Sequence, residues 1–353
     1  MKYYAGLDVS MKETFVCIVD NNGKILVEGK TSTEPTAIAQ YLNKVGVSLE
    51  KVALESGSLS HWLVTELQSQ NVPVICIDSR HMSSMLAMNV NKTDTNDARG
   101  IANALRGGYV REVNIKSQYH VEVNILLQSR SILVQERTKL KNAIRGLIKT
   151  FGLKIATTGM TSFIKGVRKA LQEVPSDVKL AIEGLLKAIE SISEQIEGYE
   201  EQIEQIASED QAAQLLMTIP GVGMLTALYF VTTLGDYSRF KNSRDVAAYL
   251  GLTPRQYSSG DVQRLGRISK CGSREARSML VEAATVMLTR TKSWCRPKAW
   301  AMKLQRKKGF KKAAVALGRK LAVIMHRMLV SRKPFHYGEE PKKGSKKVLE
   351  KVA

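Results

Sequence analysis

Residues 3–29 limit the fold of this chain more than any other stretch, because they have the pattern of strands joined by tight turns. The runs YYAGLD and TFVCIVD are followed by an Asn-Asn-Gly turn at 21–23 and by KILVEGK. An Asn-Gly step between two such runs is a strong hairpin signal. A helical stretch at 35–45, a short strand at 51–55, a second helix and a strand at 72–78 come next. This order predicts an α/β domain with a mixed, RNase H-like (RuvC-like) sheet.

The rest of the sequence predicts mostly helices. One helix begins near Thr93 and ends at the glycine pair 107–108, and a long helix rich in Arg and Lys covers about 120–150. Within 176–206 the apolar residues follow a regular heptad spacing: Ile182, Leu185, Ile189, Ile192, Ile196, Tyr199, Ile203 and Ile206. This narrow stripe predicts a coiled coil. We favour self-association of the chain through it, and an intramolecular hairpin with the 120–150 helix is the alternative.

Positive charge is concentrated at one end of the chain. Residues 251–353 hold 26 lysines and arginines against 6 acidic residues, whereas residues 1–250 hold 27 of each, so the whole net charge of +20 lies in the last segment. A field of one sign suits a phosphate backbone. Where the cations are interleaved with apolar residues, at 255–333, we predict contact with nucleic acid. For 341–353 a solvated lysine-rich tail explains the charge equally well.

Four carboxylates stand where a two-metal nuclease would need them. Asp8 lies inside the first strand, Glu55 ends the strand at 51–55, and Asp94 and Asp97 share one face at a helix start. Oxygen ligands of this kind suit Mg²⁺, and two such ions would stabilise the attacking and leaving oxygens at phosphorus. Taken alone, Asp94 is better explained as a helix cap. Asp8 is harder to explain in this way, because an aspartate in an apolar strand is costly unless it is paired or metal-bound.

Two further segments carry candidate residues. The turn IPGVG, with Gly221 and Gly223, joins two helical stretches as in a helix-hairpin-helix, whose backbone N–H groups can face a DNA phosphate. Downstream, the loop 257–260 (YSSG) precedes a cluster of cations. A serine near cations can attack a phosphodiester, although Ser-Ser-Gly is also an ordinary turn sequence. The cations are Arg255, Arg264, Arg267, Lys270, Arg274 and Arg277.

Several segments together resemble a known family. GLDVS (6–10), ALESG (53–57), KTDTNDARGIANAL (92–105), IPGVG (219–223) and the stretch 249–277 are similar to the DEDD transposases of bacterial insertion sequences. This is the insertion sequence 110 family, which includes the Piv-type DNA invertases. The resemblance implies a RuvC-like acidic tetrad at Asp8, Glu55, Asp94 and Asp97. It also implies a nucleophilic serine at Ser259, with Ser258 the less favoured neighbour.

The resemblance implies a function as well. Members of the family excise and insert their own elements as recombinases, and many are guided by a structured bridge RNA that pairs with donor and target DNA. The resemblance implies Mg²⁺ or Mn²⁺ at the tetrad and a homo-oligomer, a dimer or tetramer. In that assembly the tetrad of one subunit and the serine of another would form a composite site, with a strand linked through phosphoserine before exchange.

The patterns divide the chain into four segments. They predict a RuvC-like nuclease domain at 1–118, a helical coiled-coil segment at 119–209 and a basic, mostly helical domain with the helix-hairpin-helix at 210–335. A basic tail at 336–353 is interpreted as disordered. The first residues do not have the pattern of a signal peptide, and no apolar run is long enough to span a membrane. Together with four scattered cysteines, which fit a reducing compartment, this predicts a cytoplasmic protein that associates with the nucleoid when DNA is bound.

Three other interpretations are open on sequence alone. A plain RuvC-like junction endonuclease would use water as the nucleophile and leave free strand ends. A sugar kinase or actin-like ATPase shares the first strand-Gly-x-Asp element, but no second phosphate loop or adenosine motif is present. A non-catalytic helix-hairpin-helix DNA-binding protein would leave the four carboxylates without a role.

Overall fold

The computed structural model describes residues 1–87, 93–156, 159–259 and 262–338. The chain forms two compact units, 1–116 and 117–353. Residues 339–353, which make up most of the predicted basic tail at 336–353, lie outside the described residues. The four-segment division of the chain stays a prediction.

The first unit is a five-stranded sheet with helices on both faces. Its elements in chain order are β1 Tyr3–Val9, β2 Glu13–Asp20, β3 Ile25–Ser32, α1 Pro35–Lys44, β4 Leu49–Glu55, α2 Ser60–Ser69, β5 Val74–Ile77, α3 Ser79–Leu86 and α4 Asp94–Arg106. The strand order is β3-β2-β1-β4-β5. β1, β2 and β3 pair antiparallel, whereas β1, β4 and β5 pair parallel. This is the mixed RNase H-like sheet, so the predicted fold class is confirmed.

The sequence explains why the sheet is covered on both faces. Side chains alternate across a strand, and the central strands are apolar at nearly every position. Ala5 and Leu7 of β1 contribute to a core that also includes the buried residues of α1 and α2. On the opposite face, Ala53 and Ile77 pack with Ile101 of α4. α4 therefore lies against the face that carries the even-numbered residues of β1, and Met82 of α3 packs in the same core.

The described residues of the second unit form helices and one β-hairpin, β6–β7. Its elements are α5 Gln118–Ile148, α6 Met160–Ala170, α7 Ser176–Glu209, α8 Gln211–Met217, α9 Met224–Leu234, α10 Ser243–Tyr249, β6 Pro254–Ser259, β7 Val262–Ile268, α11 Arg274–Thr289, α12 Arg296–Lys308 and α13 Phe310–Ser331. α9 is the central helix, since every residue from 226 to 234 is buried. Within the described ranges, no helix has the length and apolar character to cross a membrane.

The heptad stripe of α7 is covered from within the chain. Ile203 packs in one core with Val123 of α5, and Ile182 packs in another with Ile148, so α5 and α7 run antiparallel side by side. Arg130 of α5 also forms an ion pair with Glu200 of α7. The preference for self-association through this stripe is therefore corrected, because the intramolecular hairpin provides its partner.

Only half of the stripe is fully buried by this pairing. The buried members are Ile182, Ile189, Ile196 and Ile203, and the half-buried members are Leu185, Ile192, Tyr199 and Ile206. A periodic stripe predicts that a helix has an apolar partner, but it does not say which helix that is. The oligomeric state of the chain stays a prediction.

Candidate active site

Asp8 and Glu55 lie side by side at the ends of two parallel strands. Leu7 of β1 pairs with Leu54 of β4, so the residues that follow them are neighbours. Since side chains alternate along a strand, Asp8 shares its face with Gly6, and Glu55 shares the same face with Ala53. Both carboxylates are half-buried. The sheet thus brings together two of the four predicted acidic residues.

Helix α4 crosses that face at Gly6. A methyl group added to Gly6 would lie 2.3 Å from the carbonyl oxygen of Ala98 and 2.5 Å from the backbone nitrogen of Ala102. Glycine at this position therefore allows the helix backbone to touch the strand. Any side chain would separate them. Gly6 of the GLDVS segment thus allows α4 to pack closely on β1, two residues before Asp8.

The direction of α4 brings its acidic first turn to the same end of the sheet. At the C-terminal end of the helix, Arg106 donates through Nη1 to the carbonyl oxygen of Asn21, 3.1 Å away. Asn21 follows Asp20, which pairs with Tyr3 at the beginning of β1. The helix runs opposite to β1, so Asp94 lies toward the strand end that carries Asp8.

The first turn of α4 is fixed by a side-chain cap. The hydroxyl of Thr93 accepts a hydrogen bond from the Asn96 N–H at 3.2 Å, which satisfies one of the free donors at the helix start. Asp94 and Asp97 are the acidic residues of this turn. Because Thr93 supplies the cap, the capping role that sequence alone suggested for Asp94 is filled by its neighbour.

The four carboxylates share one end of one face, but their side chains do not form a closed metal site. Among the residues that the structure describes, no group of three or more His, Cys, Asp or Glu side chains is arranged to hold a metal ion. The donor set itself fits Mg²⁺ or Mn²⁺, which prefer carboxylate oxygens. Asp8, Glu55, Asp94 and Asp97 are the residues that would hold such an ion.

Two serines that the sequence interpretation did not include support the end of β4. The hydroxyl of Ser56, next to Glu55, donates to the Ser79 hydroxyl at 3.2 Å and accepts from the Ser79 N–H at 3.2 Å. The Ser56 N–H donates to the Ile77 carbonyl of β5. These bonds hold the strand end at a fixed distance from α3. A serine after a strand is common, so no sequence signal identifies this role.

An ion pair holds α4 against the edge of the sheet. Arg99 donates through Nε and Nη2 to the two carboxylate oxygens of Glu28, at 2.7 and 2.6 Å. These hydrogen bonds lower the pKa of the Glu28 carboxyl. A folded-state pKa below the unfolded value means that the pair stabilises the fold at neutral pH. That contribution is lost as the pH falls through the folded-state pKa.

We therefore expect Glu28→Gln to lower the free energy of unfolding at pH 7. The difference from wild type should become progressively smaller below about pH 4.3, the ordinary pKa of glutamate. Urea unfolding followed by circular dichroism across this pH range measures the difference from wild type. Glu66→Gln, on the exposed face of α2, is the matched control. A difference between wild type and Glu28→Gln that stays constant with pH would contradict this role for the pair.

Ser259 stands at the end of a strand rather than in a loop. β6 and β7 form an antiparallel hairpin in which Ser258 pairs with Gln263 and Ser259 with Val262. The sequence predicted a loop at 257–260, because a hairpin exposed along β6 shows no alternation of apolar and polar residues. Ser259 is exposed, and the hydroxyl of Ser258 accepts a hydrogen bond from Gln256 Nε2 at 2.9 Å. Gly260 lies outside the described residues.

Most of the predicted cations near Ser259 are exposed, but one is directed inward. The exposed ones are Arg255, Arg264, Arg267, Lys270 and Arg274. Arg277 is half-buried, and its Nη1 donates to the carbonyl oxygens of Cys271 at 2.9 Å and Leu250 at 3.1 Å. Arg277 therefore ties the end of α10 to the turn after β7. Sequence alone could not separate it from its exposed neighbours.

The turn between α8 and α9 gives its two glycines different environments. Gly221 has φ +87°, and a methyl group on it would lie 2.9 Å from the Ala283 carbonyl oxygen and 3.0 Å from the Met287 nitrogen of α11. Gly223 is exposed at the start of α9, with no atom within 4 Å of an added methyl group. Gly221 thus allows close packing on α11, whereas the space over Gly223 is open to a ligand.

Comparison with known proteins links these features to transposases. Residues 213–299 match the family described as Transposase IS116/IS110/IS902 family, and residues 5–152 match a family of DEDD transposases of the IS110 type. The transposase for insertion sequence element IS1111A of Coxiella burnetii is 31% identical over 347 residues, which cover 94% of this chain and 91% of that protein. A probable family 20 transposase of Pseudomonas aeruginosa is 30% identical over 284 residues, 79% of this chain and 83% of that protein.

Two further similarities cover a smaller part of the chain. A pilin gene-inverting protein of Moraxella lacunata is 33% identical over 128 residues, 35% of this chain and 38% of that protein. The RuvC structure of Thermus thermophilus is 16% identical, covers 31% of this chain and 99% of that chain, and has a TM-score of 0.24. That score is too low to support the fold, which rests on the strand order instead.

Proposed function

Because this chain belongs to the IS116/IS110/IS902 family of transposases, we propose that it cuts and rejoins DNA with a tetrad-bound metal ion and a serine nucleophile. The family makes the chain a DNA transposase or recombinase, related also to pilin-gene inverting proteins. A DEDD domain with this fold implies the use of divalent metal ions. The observation that carries the proposal is the shared position of Asp8 and Glu55 beside the acidic first turn of α4.

The tetrad is proposed to hold Mg²⁺, because an all-oxygen donor set favours hard cations over softer metals. Ions bound there would stabilise negative charge on the phosphate and on the attacking oxygen. The chain's own residues supply the rest. Asp8 and Glu55 are fixed by strand pairing. Asp94 and Asp97 are fixed by the Thr93 cap and by the ion pair between Arg99, on the same helix, and Glu28 of β3.

Ser259 is the proposed nucleophile. Its Oγ attacks phosphorus, an Oγ–P bond forms, one P–O bond of the DNA backbone breaks, and the hydroxyl proton passes through water to the departing oxygen. A hydroxyl of a second strand then attacks the phosphoserine, restores a phosphodiester and returns the proton to Ser259. The exposure of Ser259 at a strand end supports this choice, and the engagement of the Ser258 hydroxyl by Gln256 disfavours its neighbour.

The exposed cations around the hairpin are the proposed grip on nucleic acid. They lie on the two strands, in the turn after β7 and at the start of α11: Arg255, Arg264, Arg267, Lys270 and Arg274. Phosphate contacts of this kind position a substrate without specifying its sequence. Gly223 is proposed to add backbone contact at the start of α9. Arg277 and Gly221 are proposed to stabilise this surface indirectly, because both contact other parts of the protein backbone.

A structured bridge RNA and an oligomer are also part of the proposal. Family membership supports the RNA guide, and the basic second unit provides charge for both nucleic acids. The tetrad and Ser259 lie in different units of the chain. A composite site between subunits, as the family resemblance implies, would therefore require a homo-oligomer.

Trapping of a covalent adduct tests the serine. Wild-type protein, labelled DNA carrying the junction of its own element, RNA from the element's non-coding end and Mg²⁺ are expected to give a protein–DNA adduct that resists denaturation. Ser259→Ala should abolish this adduct, because no other atom replaces Oγ, while Ser258→Ala should retain it. The readout is the labelled DNA that migrates with denatured protein.

Two outcomes would contradict the assignment. An adduct that persists in Ser259→Ala would exclude this serine. Cleaved DNA with free 3′-hydroxyl and 5′-phosphate ends and no adduct in wild type would indicate water as the nucleophile, as in a RuvC-like endonuclease.

A further inference from the structure

The last part of the described chain carries basic side chains and no acidic ones. Residues 283–338 contain 15 lysines and arginines and no aspartate or glutamate. Within a folded segment, such charges repel one another unless a polyanion is bound nearby. These residues form the end of α11, both helices α12 and α13, and the segment that follows α13.

A groove lies between α12, α13 and that final segment. Its volume is about 1090 Å³, slightly above the ~300–1,000 Å³ usual for ligand pockets. Its outer wall is held in place by backbone bonds. The Arg296 N–H donates to the Tyr337 carbonyl at 2.9 Å, and the Phe335 N–H donates to the Thr218 hydroxyl at 3.1 Å. The groove is therefore a formed feature of the fold.

The lining combines cations with aromatic rings. Arg296, Lys303, Lys320, Arg327 and Lys333 contribute positive charge, and no acidic residue takes part. The aromatic members are Trp294, Trp300 and Phe335. Cations that track a backbone, interleaved with rings on which bases can stack, are the features of surfaces that bind single-stranded nucleic acid.

Trp300 and Lys320 form the centre of this lining. The Lys320 Nζ lies 4.4 Å from the centre of the Trp300 ring, which remains 39% exposed. The ammonium therefore covers one part of the indole and orients it. Burial, and next the nearby charge of Arg296, lower the pKa of Lys320. A phosphate beside these two cations would relieve their mutual repulsion.

We propose that this groove binds an unpaired stretch of nucleic acid, with a base stacked on Trp300 and phosphates facing Arg296, Lys320 and Arg327. A duplex keeps its bases stacked inside the helix and would leave the indole without a partner. The inference rests on the proposed function only for the partner being nucleic acid. No residue of the groove belongs to the proposed cutting machinery, so a binding measurement tests it apart from strand cleavage.

Fluorescence anisotropy with the full-length protein tests the groove. The probes are labelled oligothymidylate and oligouridylate of about 12 nucleotides, within the usual site size of single-strand grooves, and a DNA duplex of the same length. Trp300→Ala is expected to weaken binding of the single strands by roughly 5- to 100-fold, the loss of one stacked base. Binding of the duplex should change by less than about 2-fold, which is smaller than any stacking loss.

Trp62→Ala is the matched control, because Trp62 has the same exposed fraction, 39%, and lies in the other unit. It should leave all three affinities unchanged. Tighter binding of oligouridylate than of oligothymidylate would identify RNA as the natural strand, through its 2′-hydroxyl, and the reverse would identify DNA. Unchanged single-strand binding in Trp300→Ala, or an equal loss for duplex and single strand, would overturn the proposal.

A second measurement covers the case in which Trp300→Ala does not fold. Trp300→Phe keeps a ring in place, and Trp62→Phe removes the tryptophan of the first unit. Stacking of a base quenches indole emission, so the single strand should quench tryptophan fluorescence in Trp62→Phe as in wild type. The quenching should fall to less than about half in Trp300→Phe, in which the stacked indole is absent. Equal quenching in wild type and Trp300→Phe would show that no base contacts Trp300.

Discussion

Replacing Asp8 by asparagine is expected to reduce DNA strand cleavage by about 100- to 1000-fold while DNA binding is retained. The amide keeps the volume of the carboxylate but loses its charge, which removes one of the ligands proposed to hold a metal ion at the scissile phosphate. Losses of this size are usual when a single group that stabilises the transition state is removed. Cleavage of labelled DNA in Mg²⁺ measures the first quantity, and anisotropy with the same DNA measures the second.

The sheet offers a matched control for Asp8. Asp78 directly follows β5, and Asp8 is the second-last residue of β1, so both are aspartates close to the end of a parallel strand. Its carboxylate accepts from the N–H groups of Arg80 at 3.0 Å and His81 at 2.9 Å and so caps α3. Asparagine caps a helix about as well, so Asp78→Asn should retain cleavage. Equal losses in both variants would mean that the Asp8 effect is not specific to the tetrad.

Metal dependence distinguishes a chemical role from a structural one. If Asp8 contributes to a metal site, wild type should gain thermal stability as Mg²⁺ or Mn²⁺ is added, since a ligand that binds only the folded state stabilises it. Asp8→Asn should lose most of this gain. A variant that responds to the metal as wild type does would remove Asp8 from the proposed ligand set.

The order of strands and helices along the first unit could be predicted from sequence because each element has its own local signal. The Asn-Gly turn indicates the first hairpin, and apolar runs separated by helices indicate the parallel strands. Thr93 and the glycine pair mark both ends of α4, which the structure begins at Asp94 and ends at Arg106. Local signals of this kind also locate the four carboxylates along the chain.

What sequence could not supply is the partner of each surface. The stripe of α7 has the same period whether α5 or a second chain covers it, and the structure shows α5. Both faces of β6 are exposed to solvent, so its sequence lacks the alternation of apolar and polar residues that would predict a strand. Arg277 and Arg274 are alike in sequence. Only the position of the Leu250 and Cys271 carbonyls separates a structural arginine from an exposed one.

The same limit applies to the tetrad. Register shows that Asp8 and Glu55 are neighbours, and the direction of α4 adds Asp94 and Asp97 at the same end. Sequence spacing indicates which strand ends carry the acids, but it does not determine their side-chain rotamers. The positions of the four acids along the chain are therefore the part of the site that follows from sequence.

Replacing Gly6 by alanine is expected to destabilise the first unit by about 3 kcal/mol, near the upper end for overpacked cores. The added methyl group would lie 2.3 Å from the Ala98 carbonyl oxygen and 2.5 Å from the Ala102 nitrogen. Both are backbone atoms, so no side-chain rotation can relieve the overlap, and α4 must move away from β1. Native-state hydrogen exchange of the α4 amides measures the loss, because it reports opening of this helix in the intact chain.

Gly57→Ala is the control for Gly6→Ala, since an added methyl group at Gly57 meets no atom within 4 Å. Exchange in α4 should stay at the wild-type rate in this variant. Asp8→Asn lies two residues from Gly6 on the same strand and should also leave α4 protected, although cleavage is lost. Wild-type protection in Gly6→Ala would mean that α4 does not depend on contact at Gly6. The position of Asp94 and Asp97 beside Asp8 would then need another cause.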